Sequence, residues 1–348
     1  MIRIGGVFND IASMDVLDEA AKKACSSRKN IIEVQDFLVR RDELLLRLRE
    51  QLLDGTFVSS RYRMFTVKER GKERFVADLP LYPDRILHWA ICIVVEERLN
   101  RKLIDQSYGS RKGMGYHDAV KRVYDYLQDD SRLRYALVVD VKKFFASIDK
   151  DILKRKLERA FKDRRFLDLM FGLIDDYPYS GIPIGNRYSP MLANLYLSEM
   201  DHTLKEKYHV HYLVAFMDDR CILGYSKKWL RSILHVMERM LADIGLELKP
   251  NYQIFPIDSR GIPFLGYRIF TDHILLNKQT KKRMQRAAAR ISGRLEDPDY
   301  RLDNHDRGTI YSYHGVLQWC NGRHLHSLTL TPLIDADIRQ RALSEMNR

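Results

Sequence analysis

The stretch Tyr212–Gly224 reads YLVAFMDDRCILG, and it decides how the rest of the chain is interpreted. Two apolar runs flank the polar centre Met217–Arg220. The pattern therefore predicts a β-hairpin that carries the adjacent carboxylates of Asp218 and Asp219 at its tip. An acidic pair at a hairpin tip is most often an ordinary solvated turn. Whether the pair has a function can therefore be inferred only together with the segments around it.

A third carboxylate ends another apolar run. The residues Tyr135–Val139 predict a buried strand, and Asp140 follows directly. If this strand and the hairpin are neighbours in one sheet, Asp140, Asp218 and Asp219 converge at one end of it. Clustered carboxylates repel one another and therefore need cations. Two Mg²⁺ ions held by shared carboxylates suit phosphoryl transfer, because one activates the attacking oxygen and the other stabilises the leaving pyrophosphate.

The remaining periodicity predicts a mixed α+β sheet with helices on one face. The predicted helices cover 16–54, with Gly55 as a C-cap, then 84–103, about 150–161 with Asp149 as N-cap, and 229–244. The predicted strands include a hairpin over 61–80 with its turn at Glu69–Lys72, and single strands near 252–257 and 264–270. The C-terminal third is expected to be mostly helical.

Composition limits the possible functions. The chain has 348 residues, 45% of them hydrophobic and 30% charged, which is typical of a globular protein. The net charge of +12 indicates a polyanionic partner such as nucleic acid or, equally, a basic enzyme without one. The four cysteines form no CxxC pair, so we expect neither a zinc ribbon nor disulfides, and a cytoplasmic location. No apolar run approaches the roughly 20 residues of a membrane helix, and no signal peptide is visible.

Five stretches in chain order resemble the polymerase motifs A to E of reverse transcriptases. They are ALVVDVKKFFASI at 136–148, GIPIGNRYSPMLAN at 181–194, FMDD at 216–219, GLELK at 245–249 and GIPFLGY at 261–267. Upstream, KERF at 72–75 and QSYGSRKG at 106–113 are similar to finger segments of bacterial members. The chain thus resembles bacterial reverse transcriptases of the group II intron-like lineage, most of all those of diversity-generating retroelements.

The resemblance implies a right-hand polymerase with fingers, a palm made of an antiparallel sheet backed by helices, and a helical thumb. The expected divisions are an N-terminal helical segment at 1–54, fingers at 55–134, a palm at 135–270 with an interleaved finger segment at about 151–185, and the thumb at 271–348. The implied activity is RNA-directed DNA polymerisation with two Mg²⁺ ions.

The resemblance also assigns roles in the active site. Asp140 and Asp218 match the metal-ligating aspartates, and Asp219 matches their weaker partner. For the incoming dNTP, the matching positions are Lys72 and Arg74 on the triphosphate, Phe145 as a steric gate against the ribose 2′-OH, Ile184 and Gly185 at the nascent base pair, and Lys249 as a proton donor to pyrophosphate. Arginine suits the triphosphate because its guanidinium binds phosphate in a bidentate manner.

Two further segments are expected to hold nucleic acid. Motif E supplies a primer grip at Phe264, Leu265 and Gly266. The following basic segment falls where a thumb helix tracks the phosphate backbone, which positions the duplex without reading its sequence. Its candidate phosphate contacts are Lys278, Lys281, Lys282, Arg283, Arg286 and Arg290.

Ile184 indicates which subtype of reverse transcriptase the chain resembles. Many reverse transcriptases carry Gln at this position, whereas diversity-generating enzymes carry an aliphatic residue there, in the motif [I/V/L]-G-x-x-x-S-Q. This chain departs from that pattern at Pro190, where the family has Gln. It also departs from the family's Y-x-D-D box at Phe216, where the family has Tyr.

The expected partners are template RNA, the RNA–DNA duplex, dNTPs and a small basic helical accessory protein oligomer, with no membrane. The alternatives are an antiphage-defence reverse transcriptase that uses a noncoding RNA, and a non-catalytic RNA-binding protein with a polymerase fold. The intact aspartates oppose the second alternative, and Phe145 disfavours an RNA-dependent RNA polymerase.

Overall fold

The computed structural model describes residues 3–26, 29–69 and 72–346. The α-helices in these ranges are α1 Val7–Ile11, α2 Met14–Cys25, α3 Ile32–Val39, α4 Arg41–Asp54, α5 Ile86–Asn100, α6 Tyr116–Asp129, α7 Phe144–Ser147, α8 Lys150–Ala160, α9 Arg164–Asp175, α10 Ser189–His202, α11 Lys227–Ala242, α12 Ile257–Arg260, α13 Lys278–Arg294, α14 Asn304–Leu317, α15 Arg323–Thr329 and α16 Thr331–Met346. One-turn segments at Leu81–Arg85 and Thr203–Lys207 lead into α5 and extend α10.

The β-strands are β1 Arg63–Glu69, β2 Lys72–Asp78, β3 Ser107–Tyr108, β4 Tyr135–Asp140, β5 Leu213–Phe216, β6 Asp219–Gly224, β7 Gln253–Pro256, β8 Ile262–Phe264, β9 Tyr267–Ile269 and β10 Ile274–Leu276. They form the hairpin β1-β2, a three-stranded sheet in the order β10-β9-β8, and a five-stranded sheet in the order β3-β5-β6-β4-β7. In the five-stranded sheet β4 runs antiparallel to β7, whereas β3 runs parallel to β5. This arrangement is the mixed α+β fold that the sequence predicts.

The chain folds as two compact units. The first comprises Met1–Gly115, Val139–Arg220 and Ser232–Tyr252, and the second comprises Tyr116–Val138, Cys221–Arg231 and Gln253–Arg348. Each unit has its own apolar core. In the first, α10 buries most of its length, including Leu192, Leu195 and Tyr196. In the second, Ile291 of α13 packs with Ile310 of α14 and with other apolar side chains.

Local capping explains where several helices begin and end. The Asp149 side chain accepts a hydrogen bond from the Ile152 N–H, which confirms the predicted N-cap of α8. Gly55 ends α4 with φ of 70°, a left-handed conformation that glycine adopts without steric cost, and this confirms the predicted C-cap. All four cysteines are free thiols.

The predicted single strand near 264–270 is wrong. Leu265 and Gly266 have φ values of 46° and 89°, and they form a turn that divides the segment into β8 and β9. The predicted 61–80 hairpin is present as β1 and β2, while Arg70 and Gly71 of its expected turn lie outside the described residues. Within the described ranges, no helix is both long and apolar enough to cross a bilayer.

Candidate active site

Three carboxylates meet where β4 ends and β6 begins. Asp140 is the last residue of β4, Asp219 is the first residue of β6, and the two strands are neighbours in the sheet. Met217 completes the turn from β5 with φ of 53°, a left-handed conformation that costs a residue with a Cβ about 1–2 kcal/mol. Backbone strain of this kind is found where a turn is held in place for function. The predicted convergence of Asp140, Asp218 and Asp219 is therefore present in the geometry.

The electrostatics of this cluster oppose the accumulation of negative charge. Burial, followed by the nearby charge of Asp140, raises the pKa of Asp218 to about 6. Burial, followed by the charges of Asp218 and Asp140, raises the pKa of Asp219 to about 7. Because a cation would offset both the desolvation and the repulsion, the cluster favours binding of a positive charge.

Lys249 supplies one such charge. Its backbone N–H donates to the Asp140 carbonyl at 2.8 Å, and its ammonium group contacts Asp140 Oδ2. A bridge between Val141 and Leu248 holds the two segments side by side. The resemblance to motif D suggested Lys249 as a site residue. Its ion pair with Asp140, however, is visible only in the folded chain.

The cluster has the chemistry of a divalent-cation site, although its side chains are not arranged as a closed one. Among the described residues, no group of three or more His, Cys, Asp or Glu side chains has the geometry to hold a metal ion. Asp140 Oδ1, however, is buried with no hydrogen-bond partner in the described part of the chain. Carboxylate oxygens are the ligands that Mg²⁺ prefers. These residues therefore fit a hard divalent cation, with Asp140 Oδ1 available to it.

Arg220, which the sequence analysis missed, fixes the carboxylate turn from within the protein. Its side chain is 3% exposed, and its Nε and Nη2 donate to Asp201 Oδ1 and Oδ2, each at 2.9 Å. Its Nη1 donates to the backbone carbonyls of Met217 and Asp219. The turn is thereby tied to α10. A basic residue at the start of an otherwise apolar strand was the one signal in the sequence that could have revealed it.

Phe145 lies on a short helix, α7, directly after β4. Its neighbour Phe144 is buried at 3% exposure, whereas Phe145 is half-buried. The Ile182 N–H donates to the Phe145 carbonyl at 2.9 Å. Gly181 has φ of 75°, and a Cβ there would lie 2.1 Å from the same carbonyl oxygen, so the close approach requires glycine. Phe145 is therefore fixed beside the loop that carries Ile184 and Gly185.

That loop is also joined to the β1-β2 hairpin. The Ala77 N–H donates to the Ile184 carbonyl at 2.9 Å, and a Cβ on Gly185 would lie 2.2 Å from the Ala77 oxygen. Ile184 is half-buried and Gly185 is exposed. Arg74 is exposed on β2, three residues before Ala77, while the side chain of Lys72 lies outside the described residues. The expected nucleotide-binding residues thus lie on segments that contact one another.

The expected nucleic-acid contacts belong to the second unit. Helix α13 buries Met284, Ala288 and Ile291, which leaves its basic side chains on the outer surface. Lys278, Lys281, Lys282, Arg286 and Arg290 are exposed, and Arg283 is half-buried with a hydrogen bond to Thr280 Oγ1. In the expected primer grip, Phe264 is buried, Leu265 and Gly266 form the β8–β9 turn, and the Gly266 carbonyl accepts from the Asn277 N–H at 3.0 Å.

Comparison with protein families matches residues 67–269 to the family described as "Reverse transcriptase (RNA-dependent DNA polymerase)". Protein YkfC of Escherichia coli strain K12 is 30% identical over 174 residues, which cover 46% of this chain and 45% of that protein. The group II intron-encoded protein LtrA of Lactococcus lactis subsp. cremoris is 27% identical over 170 residues, covering 46% of this chain and 28% of that protein. The chain thus spans less than half of either relative.

Among solved structures, the chain is similar to an apo telomerase of Candida tropicalis truncated from its C-terminal domain. The match has a TM-score of 0.50 at 12% identity, and it covers 63% of this chain and 56% of the telomerase chain. At this identity the similarity concerns the fold alone, and it agrees with the predicted polymerase architecture.

Proposed function

This chain belongs to the reverse transcriptase family, and from that premise we propose that it is an RNA-directed DNA polymerase that copies template RNA into cDNA. The single observation that carries the proposal is the convergence of Asp140, Asp218 and Asp219 at one end of the sheet. A protein that only binds RNA has no need for a cluster of half-buried, mutually repelling carboxylates, because such a cluster weakens the fold.

Two Mg²⁺ ions, when bound, would activate the primer 3′-hydroxyl and stabilise the leaving pyrophosphate. Asp140 and Asp218 would hold the ions, with Asp219 as the weaker ligand. Arg220 keeps the turn that carries two of these residues in position through Asp201. Lys249, which already contacts Asp140, would hold a proton next to the pyrophosphate.

The remaining site residues would select and orient the dNTP. We propose that Phe145 blocks the ribose 2′-OH, that Ile184 and Gly185 border the nascent base pair, and that Lys72 and Arg74 hold the triphosphate. The hydrogen bond between Ala77 and Ile184 supports this set, because it fixes the hairpin of Arg74 against the loop of Gly185. The hand-like division into fingers, palm and thumb remains part of this proposal.

On the nucleic-acid side, we propose that α13 follows the phosphate backbone of the RNA–DNA duplex and that Phe264, Leu265 and Gly266 grip the primer. The exposure of the basic side chains supports the first assignment, and the tight turn at Leu265 and Gly266 supports the second.

Within the family, we propose the error-prone enzyme of a diversity-generating retroelement, working with a structured template RNA and a small basic helical accessory protein oligomer. Ile184 supports this subtype, because an aliphatic side chain there offers no hydrogen bond that depends on correct pairing. One hydrogen bond is worth about 0.5–1.5 kcal/mol, which corresponds to about a tenfold effect on discrimination at most. A defence enzyme with a noncoding RNA is the second candidate, favoured by the departure from the subtype pattern at Pro190.

One experiment tests both the polymerase activity and the diversity-generating subtype. Primer extension on a defined RNA template should require Mg²⁺ and should be abolished in Asp218→Ala/Asp219→Ala, while RNA binding is retained. Extension by the double variant at the wild-type rate would contradict the polymerase assignment. In diversity-generating enzymes an aliphatic residue at the position of Ile184 accompanies misincorporation opposite adenine. Sequencing of the cDNA should therefore show errors concentrated opposite template adenine, and Ile184→Gln should reduce them. A flat, low error rate at adenine would favour the defence enzyme.

A further inference from the structure

A cavity lined mainly by basic side chains lies in the first unit. It has a volume of about 440 Å³ and is bounded by α8, by α10 with its one-turn extension, and by the turn that follows α5. Its Lys, Arg and Glu residues are Lys102, Lys156, Arg159, Lys207, Glu199 and Glu206. Of the described residues, Asp140, Asp218 and Asp219 do not line it. We call it the α8–α10 cavity.

Lys102 is a buried lysine in the wall of this cavity. The residue is only 8% exposed, and burial lowers the pKa of its side chain. The protein therefore compensates the ammonium group incompletely for the water that it has lost. An anion in the cavity would offset that loss. His202 holds this wall in place, because its Nε2 donates to the Lys102 carbonyl at 2.9 Å.

The two carboxylates of the cavity are already engaged with basic groups. Glu199 Oε2 accepts from Lys156 Nζ at 2.9 Å and lies 3.5 Å from Arg159 Nη1. Glu206 Oε1 lies 2.7 Å from His202 Nδ1. Four Lys and Arg side chains thus share the cavity with two carboxylates, which leaves an excess of two positive charges before His202 is counted.

The charge and the size of the cavity indicate the chemistry of its ligand. A phosphate monoester carries a charge of about −1.5 to −2 at pH 7, which matches the excess better than the single charge of a backbone phosphodiester. Cavities of about 300–1,000 Å³ hold small organic molecules rather than bare ions. Leu195 and Ala160, both buried, supply an apolar wall for the organic part.

We propose that the α8–α10 cavity binds the phosphomonoester of a nucleotide-sized ligand, at a site separate from the carboxylate cluster. The phosphate would lie among Lys102, Lys156 and Arg159, where a guanidinium can bind it through two hydrogen bonds. The organic group would lie against Leu195 and Ala160. A free nucleoside monophosphate and the phosphorylated 5′ end of a nucleic acid strand both present this group. The proposal goes beyond the polymerase activity and does not depend on it.

Isothermal titration calorimetry of the full chain in EDTA tests the site, because no divalent ion is then present to hold a nucleotide at the carboxylates. We expect adenosine 5′-monophosphate (AMP) to bind, inorganic phosphate to bind more weakly, and adenosine not to bind. Lys102→Met and Lys156→Met should each weaken AMP binding by about 10- to 100-fold, as for the loss of a charge-assisted contact. Unchanged affinity in both variants, or equal binding of adenosine and AMP, would overturn the proposal.

Lys154→Met is the matched control. Lys154 is on the same helix and is paired with Asp175 at 2.6 Å, as Lys156 is with Glu199, but it does not line the cavity. A loss as large as that in Lys156→Met would contradict the site. Glu199→Gln should instead tighten AMP binding about two- to fivefold, because it removes a negative charge and releases Lys156 and Arg159 to the phosphate. A damaged fold cannot produce that gain, and weaker binding in this variant would also contradict the proposal.

Short single-stranded RNAs with a 5′-phosphate or a 5′-hydroxyl distinguish the two sources of the phosphate. Tighter binding of the 5′-phosphorylated RNA than of AMP, lost in Lys102→Met, would assign the cavity to a strand end. Equal affinity of the two RNAs, together with AMP binding, would assign it to a free nucleotide. Because these measurements use neither Mg²⁺ nor a primer, failure of the cavity leaves Mg²⁺-dependent extension untouched, and failure of extension leaves the cavity untouched.

Discussion

The guanidinium of Arg220 donates two hydrogen bonds to the carboxylate of Asp201 through Nε and Nη2. Its third nitrogen, Nη1, donates to backbone carbonyls of the turn that carries Asp218 and Asp219. Both partners of the ion pair are almost completely buried. A buried ion pair contributes little net stability, but breaking it leaves an uncompensated charge. We infer that the pair is a positioning device for the turn.

Arg220→Met should therefore destabilise the protein by about 3–5 kcal/mol, because Asp201 remains buried without its partner. The double variant Arg220→Met/Asp201→Leu should recover most of that stability, since no charge is left unpaired. Its primer extension should still be slow, because the carbonyls of the turn have lost their donor. Urea unfolding and single-turnover extension give the two readouts. Full activity in the double variant would show that the pair has no positioning role.

Asp219→Asn should stabilise the protein in the presence of EDTA, because the carboxyl pKa of about 7 shows that its ionised form is disfavoured in the fold. The pKa of an unfolded Asp is about 3.9, so the penalty begins near pH 4, grows as pH rises and is complete above pH 7. The gain should follow the same course and reach about 1–3 kcal/mol.

Thermal unfolding from pH 4 to pH 8 measures this gain. Asp243→Asn is the matched control, because Asp243 is exposed and belongs to the same unit. Mg²⁺ should raise the unfolding temperature of the wild type more than that of Asp219→Asn, because the cation binds the folded state through the carboxylate. Equal pH profiles for the two variants would mean that Asp219 experiences no special environment.

Phe145→Ala should increase incorporation of rNTPs relative to dNTPs, because removal of the half-buried ring opens space for a 2′-hydroxyl. Phe145→Tyr retains the ring and should keep the wild-type preference. The ratio of kcat/KM for matched rNTP and dNTP substrates is the measurement. If that ratio were the same in Phe145→Ala and the wild type, the ring would serve packing alone.

Replacement of Lys278, Lys281 and Lys282 by Gln should weaken binding of RNA–DNA duplexes of any sequence. The slope of log affinity against log salt should become shallower by about 0.7–0.9 for each lost phosphate contact. Lys227→Gln/Lys228→Gln is the control, since both lysines are exposed in the same unit but on α11. A slope that does not change in the triple variant would assign the basic surface of α13 to another partner.

The sequence by itself determined the features that depend on neighbours along the chain. The apolar runs around Asp218 and Asp219 predicted β5 and β6, and the run before Asp140 predicted β4, because alternation and turn chemistry are local properties. Asp149 and Gly55 marked helix ends for the same reason. The order of the motifs identified the family, which the comparison over residues 67–269 confirms. The assigned roles of the site residues stay predictions.

The tertiary structure alone decided which distant residues meet. Nothing local connects Arg220 with Asp201, Lys249 with Asp140 or Asn186 with Tyr62, because each pair is brought together by packing of separate elements. The turn at Leu265 and Gly266 was missed because the apolar residues around it read as one strand, whereas the left-handed backbone at both positions divides it. Burial likewise separates Phe144 from Phe145: the helix that carries both turns the first ring into the core and leaves the second half-buried.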